Sequence, residues 1–385
     1  MQLDWELGNC FGCSACAMIC PKQCIEMKLN EKGFYTPYID MKSCIQCGKC
    51  KAVCQQNMVS EKIVKKPIRI YGVKHKNDSV RMNCASGGMF AALVEYVLLN
   101  KGFVVGAKYS ETFDVYHDMS DSETESTLFY GSKYVQSDLN DIFKKIKQRL
   151  LEKRMVLFSG TPCQVVGLML YLGREFENLI TVNLICHGNA SNKIYRDFVR
   201  TLESKKKVKK IEFRDKERGW NNQVWSCTYR DRRKVYNSTS LAAYKSLYYS
   251  GLVHNTSCYE CPYASYDRPG DFTIGDFWGI DKYNAEFNDN LGVSLVFTHT
   301  PKAEQIFKNI KSRLKYIITT ERECEQFNLH HPTPKSYLYE KFWKDYLKKG
   351  YTYIVYKYAN IGMKGKAKSM ISLIKEKYIK NDNVR

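Results

Sequence analysis

Eight of the sixteen cysteines in this 385-residue chain fall into two runs of one spacing. Cys10, Cys13, Cys16 and Cys20, followed by Pro21, form C-x2-C-x2-C-x3-C-P, and Cys44, Cys47, Cys50 and Cys54 repeat the spacing without the proline. In such a run three closely spaced thiolates hold one face of a 4Fe–4S cube, and the fourth cysteine reaches across to the other cube. The spacing therefore predicts one cluster on Cys10, Cys13, Cys16 and Cys54, and a second on Cys44, Cys47, Cys50 and Cys20. Zinc is a poorer fit, because it takes four tetrahedral ligands, usually as two separated pairs. Disulfides belong to small, secreted, Cys-dense domains. Cys24 lies outside the ligand spacing and reads as a small packing residue.

A second set is looser. Cys163 sits in Ser159-Gly160-Thr161-Pro162-Cys163-Gln164, Cys186 in Cys186-His187-Gly188, and Cys258 and Cys261 form a C-x2-C bite. Four cysteines suffice for a third 4Fe–4S cluster, yet a four-thiolate zinc site or four inert buried thiols satisfy the same spacing. Cys84, Cys227 and Cys324 read as packing residues. His187 either tunes a site or is a satisfied structural histidine. Ser86-Gly87-Gly88 precedes an amphipathic helix, so its backbone N–H groups are available to a phosphate. Lys133 and Tyr134, in Gly131-Ser132-Lys133-Tyr134, either face a cofactor ring or line a strand edge.

These residues need elements to hold them. The polar stretch 60–68 ends in proline and reads as a linker. Strands are expected at 69–74, Phe103–Lys108, Met155–Phe158, Ile180–Ile185 and Ile211–Arg214. Helices are expected at Met89–Leu99, at Asp138–Lys153, from the Ser159–Gln164 segment through Leu172, and at Lys193–Glu203. The β-α-β rhythm points to an α/β sheet with ligands at the strand C-termini. Met155–Gly173 has no charged residue, but its Ser-Gly-Thr-Pro centre reads as strand, turn and helix rather than a membrane span. The last stretch, Ile361–Arg385, has seven basic and two acidic residues and reads as a basic amphipathic helix. It lies either on its own domain, on a partner or on a membrane surface.

The formal net charge is +20, part of which anionic clusters and a phosphate-bearing cofactor would offset. No helix-turn-helix, RNP or zinc-finger signature supports nucleic acid as a partner. Cluster ligation needs reducing surroundings and the N-terminus shows no signal pattern, so a cytoplasmic location is expected. There is no Ser-His-Asp, HExxH or paired-carboxylate arrangement to support hydrolysis.

Taken together, the doubled cysteine run, Ser-Gly-Gly before a helix, GSKYVQS, SGTPCQ, CHG, CxxCPYA and GDFWG resemble, in that order, the beta subunits of coenzyme F420-reducing hydrogenases and related dehydrogenases. The superfamily includes 7-hydroxymethyl chlorophyll a reductase. The fused N-terminal module and basic tail resemble its stand-alone bacterial branch. The resemblance implies an α+β ferredoxin-like module at 1–60 and an α/β flavin-binding region with a mixed or parallel sheet, divided as 69–150 and 151–310. A helical basic tail at 311–385 would follow. It further implies FAD, contacted by Ser86, Gly87, Gly88, Lys133 and Tyr134, and a third cluster on Cys163, Cys186, Cys258 and Cys261. The expected activity is that of an FAD- and iron–sulfur-dependent oxidoreductase. It would take electrons from a redox partner protein or small donor and reduce a small organic substrate or a deazaflavin-like molecule. The alternative is a non-catalytic electron-transfer subunit of a larger complex.

Overall fold

The computed structural model describes residues 9–57, 63–204 and 206–361. Its centre is one mixed sheet of eight strands. In chain order these are β1 (Arg69–His75), β2 (Phe103–Tyr109), β3 (Val115–Ser120), β4 (Val156–Gly160), β5 (Leu179–Leu184), β6 (Phe272–Asp276), β7 (Ser294–Thr298) and β8 (Leu314–Thr319). Across the sheet the order is β8-β1-β7-β6-β5-β4-β2-β3. The inner four, β6, β5, β4 and β2, run parallel, and the flanking pairs are antiparallel.

Parallel strands buried on both faces read as continuous apolar runs, and β4 and β5 do so because helices cover each side. Helix α1 (Met89–Leu99) packs Leu93, Val94 and Val97 against Val104, Leu157 and Val182 on one face. Burial of each such side chain contributes about 1.5–3 kcal/mol. On the other face, α2 (Ile142–Leu151) and α3 (Pro162–Leu172) pack against Val105, Val156 and Phe158. Alternate residues of one strand thus serve opposite cores.

Beside this body lies a three-stranded antiparallel sheet, Val208–Asp215, Val224–Tyr229 and Lys234–Tyr236. It shares an aromatic core with helices α4 (Asn192–Glu203), α5 (Thr239–Tyr249) and, after α6 (Pro301–Ile310) of the main body, α7 (Tyr339–Tyr358). The backbone of α7 is non-helical at Gly350. The N-terminal module has the hairpin Ile25–Leu29 with Tyr35–Ile39 and short helices Ala15–Ile19 and Lys49–Ala52. It is bonded to the body: the Asn192 amide donates to the Gly33 carbonyl at 2.9 Å and the Tyr35 amide to Gln136 Oε1 at 3.0 Å.

Several expectations need correction. The division at 150/151 is not a structural break, because β2 from one side pairs with β4 from the other. Residues 63–68 are not a free linker, since Val64–Lys65 pairs with Arg268–Pro269 and the Ile68 amide donates to the Thr298 carbonyl at 2.7 Å. The expected strand at Ile211–Arg214 exists but belongs to the smaller sheet. The helical tail does not begin at 311. Leu314–Thr319 is the edge strand β8, and Tyr339, Phe342, Trp343 and Tyr346 form a buried stripe on α7. Their i, i+3, i+4, i+7 spacing marks a core-facing helix; basic composition masked that signal. Residues 362–385, with nearly all of the expected amphipathic helix and its membrane or partner contact, lie outside the described residues. Among the described residues no helix is long and apolar enough to cross a membrane.

Candidate functional site

The two N-terminal cysteine sets form separate groups. Cys10, Cys13, Cys16 and Cys54 line one hollow, and Cys20, Cys44, Cys47 and Cys50 line another, which are the ligand sets expected from the spacing. Backbone amides point at the sulfurs: Gly12 N–H donates to Cys10 Sγ at 3.3 Å and Gln46 N–H to Cys44 Sγ at 3.4 Å. Such bonds are one lever on cluster potential. Cys24 is buried, as a packing residue should be, but its sulfur also lies 3.4 Å from Cys20 Sγ at the second hollow.

The looser set also converges. Pro162 opens α3, where the Thr161 amide donates to Gln164 Oε1 at 2.9 Å, and this first turn carries Cys163. Cys186 follows the end of β5, and Cys258 lies in the turn Thr256–Glu260. Burial pushes the Cys186 thiol up to about 11, and Cys261 nearby adds to it. Burial likewise raises Cys163, with Cys261, Cys186 and Cys258 close enough to push it further. Four thiols gathered in a dry site resist ionising together unless a cationic core takes their charge. Their sulfurs meet donors: Thr161 Oγ1 is 3.1 Å from Cys163 Sγ, Gly188 N–H donates to Cys186 Sγ at 3.4 Å and Asn189 N–H to Cys258 Sγ at 3.3 Å. Among the described residues no three His, Cys, Asp or Glu converge on one point as ligands of a single ion do.

Between the first hollow and this set the two parts of the chain touch. Gly167, one helical turn after Cys163, lies so close to Cys13 that a Cβ would stand 2.8 Å from its Cβ and 3.1 Å from its Sγ. Gln55 Nε2 donates to the Cys163 carbonyl at 3.1 Å, and Tyr263 OH donates to Gln55 Oε1 at 2.9 Å. Asn255, which caps the turn holding Cys258, donates through Nδ2 to the Cys10 carbonyl at 2.9 Å.

A cavity of about 250 Å³ opens beyond, with Cys186 in its wall. It lies toward the C-terminal ends of the parallel strands, between Ser159–Gly160, Leu184–Ile185 and Ile274–Asp276, where open α/β sheets bind ligands. Ser86, Gly88, Lys133 and Tyr134 line it. Gly88, at φ +92°, begins α1, and no side chain caps that helix. Lys133 Nζ donates to the Leu128 and Tyr130 carbonyls at 3.0 and 2.9 Å and has no carboxylate partner among the described residues. Burial pulls its pKa down to about 7. The Tyr134 ring packs on Trp225 and Tyr248, with centroids at 5.4 and 4.7 Å. His117 is buried in the wall, its Nε2 3.0 Å from the Ser159 carbonyl and its Nδ1 without a partner. An uncapped helix start, a lysine without a carboxylate partner and an orphaned ring nitrogen fit an anionic ligand with polar edges, as FAD is.

Gly87 differs from expectation. It does not line the cavity; a Cβ there would stand 2.1 Å from the Val73 carbonyl oxygen and 2.4 Å from the Ser294 amide. The packing against the sheet by itself demands glycine here. Sequence reasoning also missed residues. Arg214 and Asp276 face the cavity as an ion pair at 2.7 Å, Trp220 Nε1 donates to Asp276 Oδ1 at 2.8 Å, and Arg214 lies 4.7 Å over Trp278. The GDFWG segment signalled Asp276 and Trp278; nothing local marked Arg214 or His117. Cys84, read as a packing residue, and His187, left open between tuning a site and a structural role, line the cavity.

Residues 153–323 match the family model for the C terminus of the coenzyme F420 hydrogenase/dehydrogenase beta subunit, and residues 9–58 match the 4Fe-4S dicluster domain. No curated protein matches the chain. Among solved structures it is similar to a chain of the F420-reducing NiFe hydrogenase complex from Methanosarcina barkeri, studied by xenon derivatization. That similarity has 17% identity and a TM-score of 0.46, covering 77% of this chain and 94% of that one. From the two matches and the cysteine sets inside them, residues 153–323 are similar to the C terminus of the coenzyme F420 hydrogenase/dehydrogenase beta subunit and residues 9–58 to a 4Fe-4S dicluster domain, the pattern of an iron–sulfur redox protein.

Proposed function

We propose that the chain is an iron–sulfur flavoprotein oxidoreductase that carries electrons from the N-terminal module to the cavity and there reduces a small organic molecule. The observation that carries this reading is continuity. Cys13 packs on Gly167, one turn from Cys163, and Cys186 of the same gathered set forms part of the cavity wall. Clusters held by Cys20/Cys44/Cys47/Cys50, by Cys10/Cys13/Cys16/Cys54 and by Cys163/Cys186/Cys258/Cys261 would follow one another along that line.

A flavin held in the cavity would supply the exchange between single electrons and electron pairs that clusters lack. The protein's own part is binding and orientation. The α1 N-terminus and Lys133 favour negative charge, Tyr134 and its aromatic neighbours form an apolar wall, and the Arg214–Asp276 pair offers polar contacts. A soluble redox protein or a small donor would load the exposed end of the module at Cys47.

The test uses the full-length protein, reconstituted anaerobically with iron, sulfide and FAD and then reduced. Small organic acceptors, deazaflavins among them, are added while the flavin spectrum is followed. Reoxidation by at least one such acceptor, competitive with a bound analogue, is the expected outcome. Reoxidation only by protein electron carriers would instead make the chain an electron-transfer subunit.

A further inference from the structure

We propose that Arg268 is the fixed counter-charge of the group held by Cys163, Cys186, Cys258 and Cys261, raising that group's reduction potential and favouring its retention. The inference rests on the third-cluster reading above and assigns a role that reading did not need.

Arg268 is 1% exposed and is among the largest fully buried side chains of the molecule. Its guanidinium donates to three backbone carbonyls: Ser265 from Nε at 2.8 Å, Leu184 from Nη1 at 3.2 Å and Asn328 from Nη2 at 2.8 Å. Those bonds give each guanidinium nitrogen one partner but do not neutralise its charge. Other buried arginines behave differently: Arg81 reaches Asp78 and Asp289, and Arg214 reaches Asp276. No carboxylate lies within ion-pair distance of Arg268 among the described residues. A buried cation without an anion is costly, because burial strips its hydration and nothing replaces it.

A lysine in this position has an escape. Lys216, similarly buried and bonded to the Arg81, Ser86 and Leu291 carbonyls, has its pKa pulled down by burial to about 8. Arginine has none: burial lowers Arg268 only to about 10, so it stays charged at neutral pH. The groups that favour its charge are Cys261 and Cys186. Position agrees. Leu184 is two residues before Cys186, and Ser265 is four after Cys261, so one guanidinium ties the backbones of two ligand loops. Ionised thiolates around an iron–sulfur core carry net negative charge, which would pair with this cation without a carboxylate. A nearby fixed positive charge stabilises the more negative, reduced form, so the potential rises.

The experiment compares Arg268→Gln with Arg268→Lys in the full-length protein, reconstituted anaerobically and titrated with EPR detection of each cluster. Both variants lose the three-carbonyl fork; titrated at about pH 6, below the value near 8 to which burial brings the comparable Lys216, only Lys keeps a positive charge. Arg268→Gln should change the oxidised-to-reduced ratio of the third cluster at least tenfold at a given potential, or 59 mV downward for one electron. Arg268→Lys should stay near wild type, and the N-terminal clusters should not move in either. An unshifted Gln variant, or a Lys variant shifted as far as Gln, overturns the proposal. If Gln fails to take up the cluster, Lys decides: retention supports the charge role, and loss in both leaves only scaffolding and overturns it. A wild-type protein with only two clusters is a separate result, visible in the iron content before titration, and refutes the underlying third-cluster reading as well.

Discussion

At Gly87 a Cβ would lie 2.1 Å from the Val73 carbonyl oxygen, and that neighbour is sheet backbone that cannot rotate away. Overpacking typically costs 1–3 kcal/mol where side chains can shift. Gly87→Val should therefore lose about 3 kcal/mol or more, read as a fall in Tm of the whole protein. A variant that melts like wild type yet no longer binds FAD would return Gly87 to the phosphate role read from the Ser-Gly-Gly turn. Lys133 makes the opposite kind of prediction. With its pKa pulled down to about 7 by burial, it is charged below that pH and neutral above. Anionic ligands should bind more tightly at pH 6 than at pH 8, by up to about tenfold per pH unit, and Lys133→Ala should flatten the profile. The sign for stability is reversed. An unfolded lysine titrates near 10.4, so between about pH 7 and 10.4 the unfolded chain holds the extra proton and the ligand-free fold gains stability as pH rises. Titrations of FAD binding and of Tm against pH check both signs; an affinity that rises with pH would contradict the assignment.

Helix α3 would join the two halves of the proposed electron path, because Cys163 and Gly167 stand one turn apart on it. Replacing Gly167 with Ala would gain about 1 kcal/mol of helix propensity. The added Cβ, 2.8 Å from that of Cys13, would cost about 1–3 kcal/mol, so the clash prevails and the module is pushed off the helix. We expect Gly167→Ala to keep its full iron content while electrons pass more slowly from the module to the third cluster in rapid-mixing reduction; an unchanged rate would place the path elsewhere. Much of this element was readable beforehand, since Thr-Pro-Cys-Gln is a helix start and Met89–Leu99 was found at its observed bounds. Strands β6 and β7 were not read as strands, because nothing local distinguishes Phe272–Asp276 or Ser294–Thr298 from buried loop until the sheet pairs them. For β8 no burial alternation signals a strand, because only its end residues Leu314 and Thr319 are buried.

Over the whole molecule, spacing within short runs was the most legible feature, and pairing between distant runs the least. The two N-terminal ligand sets followed from cysteine intervals alone. The convergence of Cys163, Cys186, Cys258 and Cys261 depends on a helix start, a strand end and a turn separated by nearly a hundred residues, so spacing left it open. The Arg214–Asp276 pair depends on the small sheet meeting the large one, which no periodicity reports. Charge belongs to this scale too: the formal +20 excludes whatever the cysteine sets hold, and Arg268 is a buried cation whose counter-charge the described side chains do not provide. The central claim is that one chain holds three clusters and a flavin along a continuous line. The most direct measurement is iron, acid-labile sulfide and FAD per chain after anaerobic reconstitution, for wild type and Cys258→Ser. The account predicts about twelve iron and one FAD in the wild type, falling to about eight iron in Cys258→Ser with the N-terminal EPR signals intact. About eight iron in both, with no flavin bound, would contradict it.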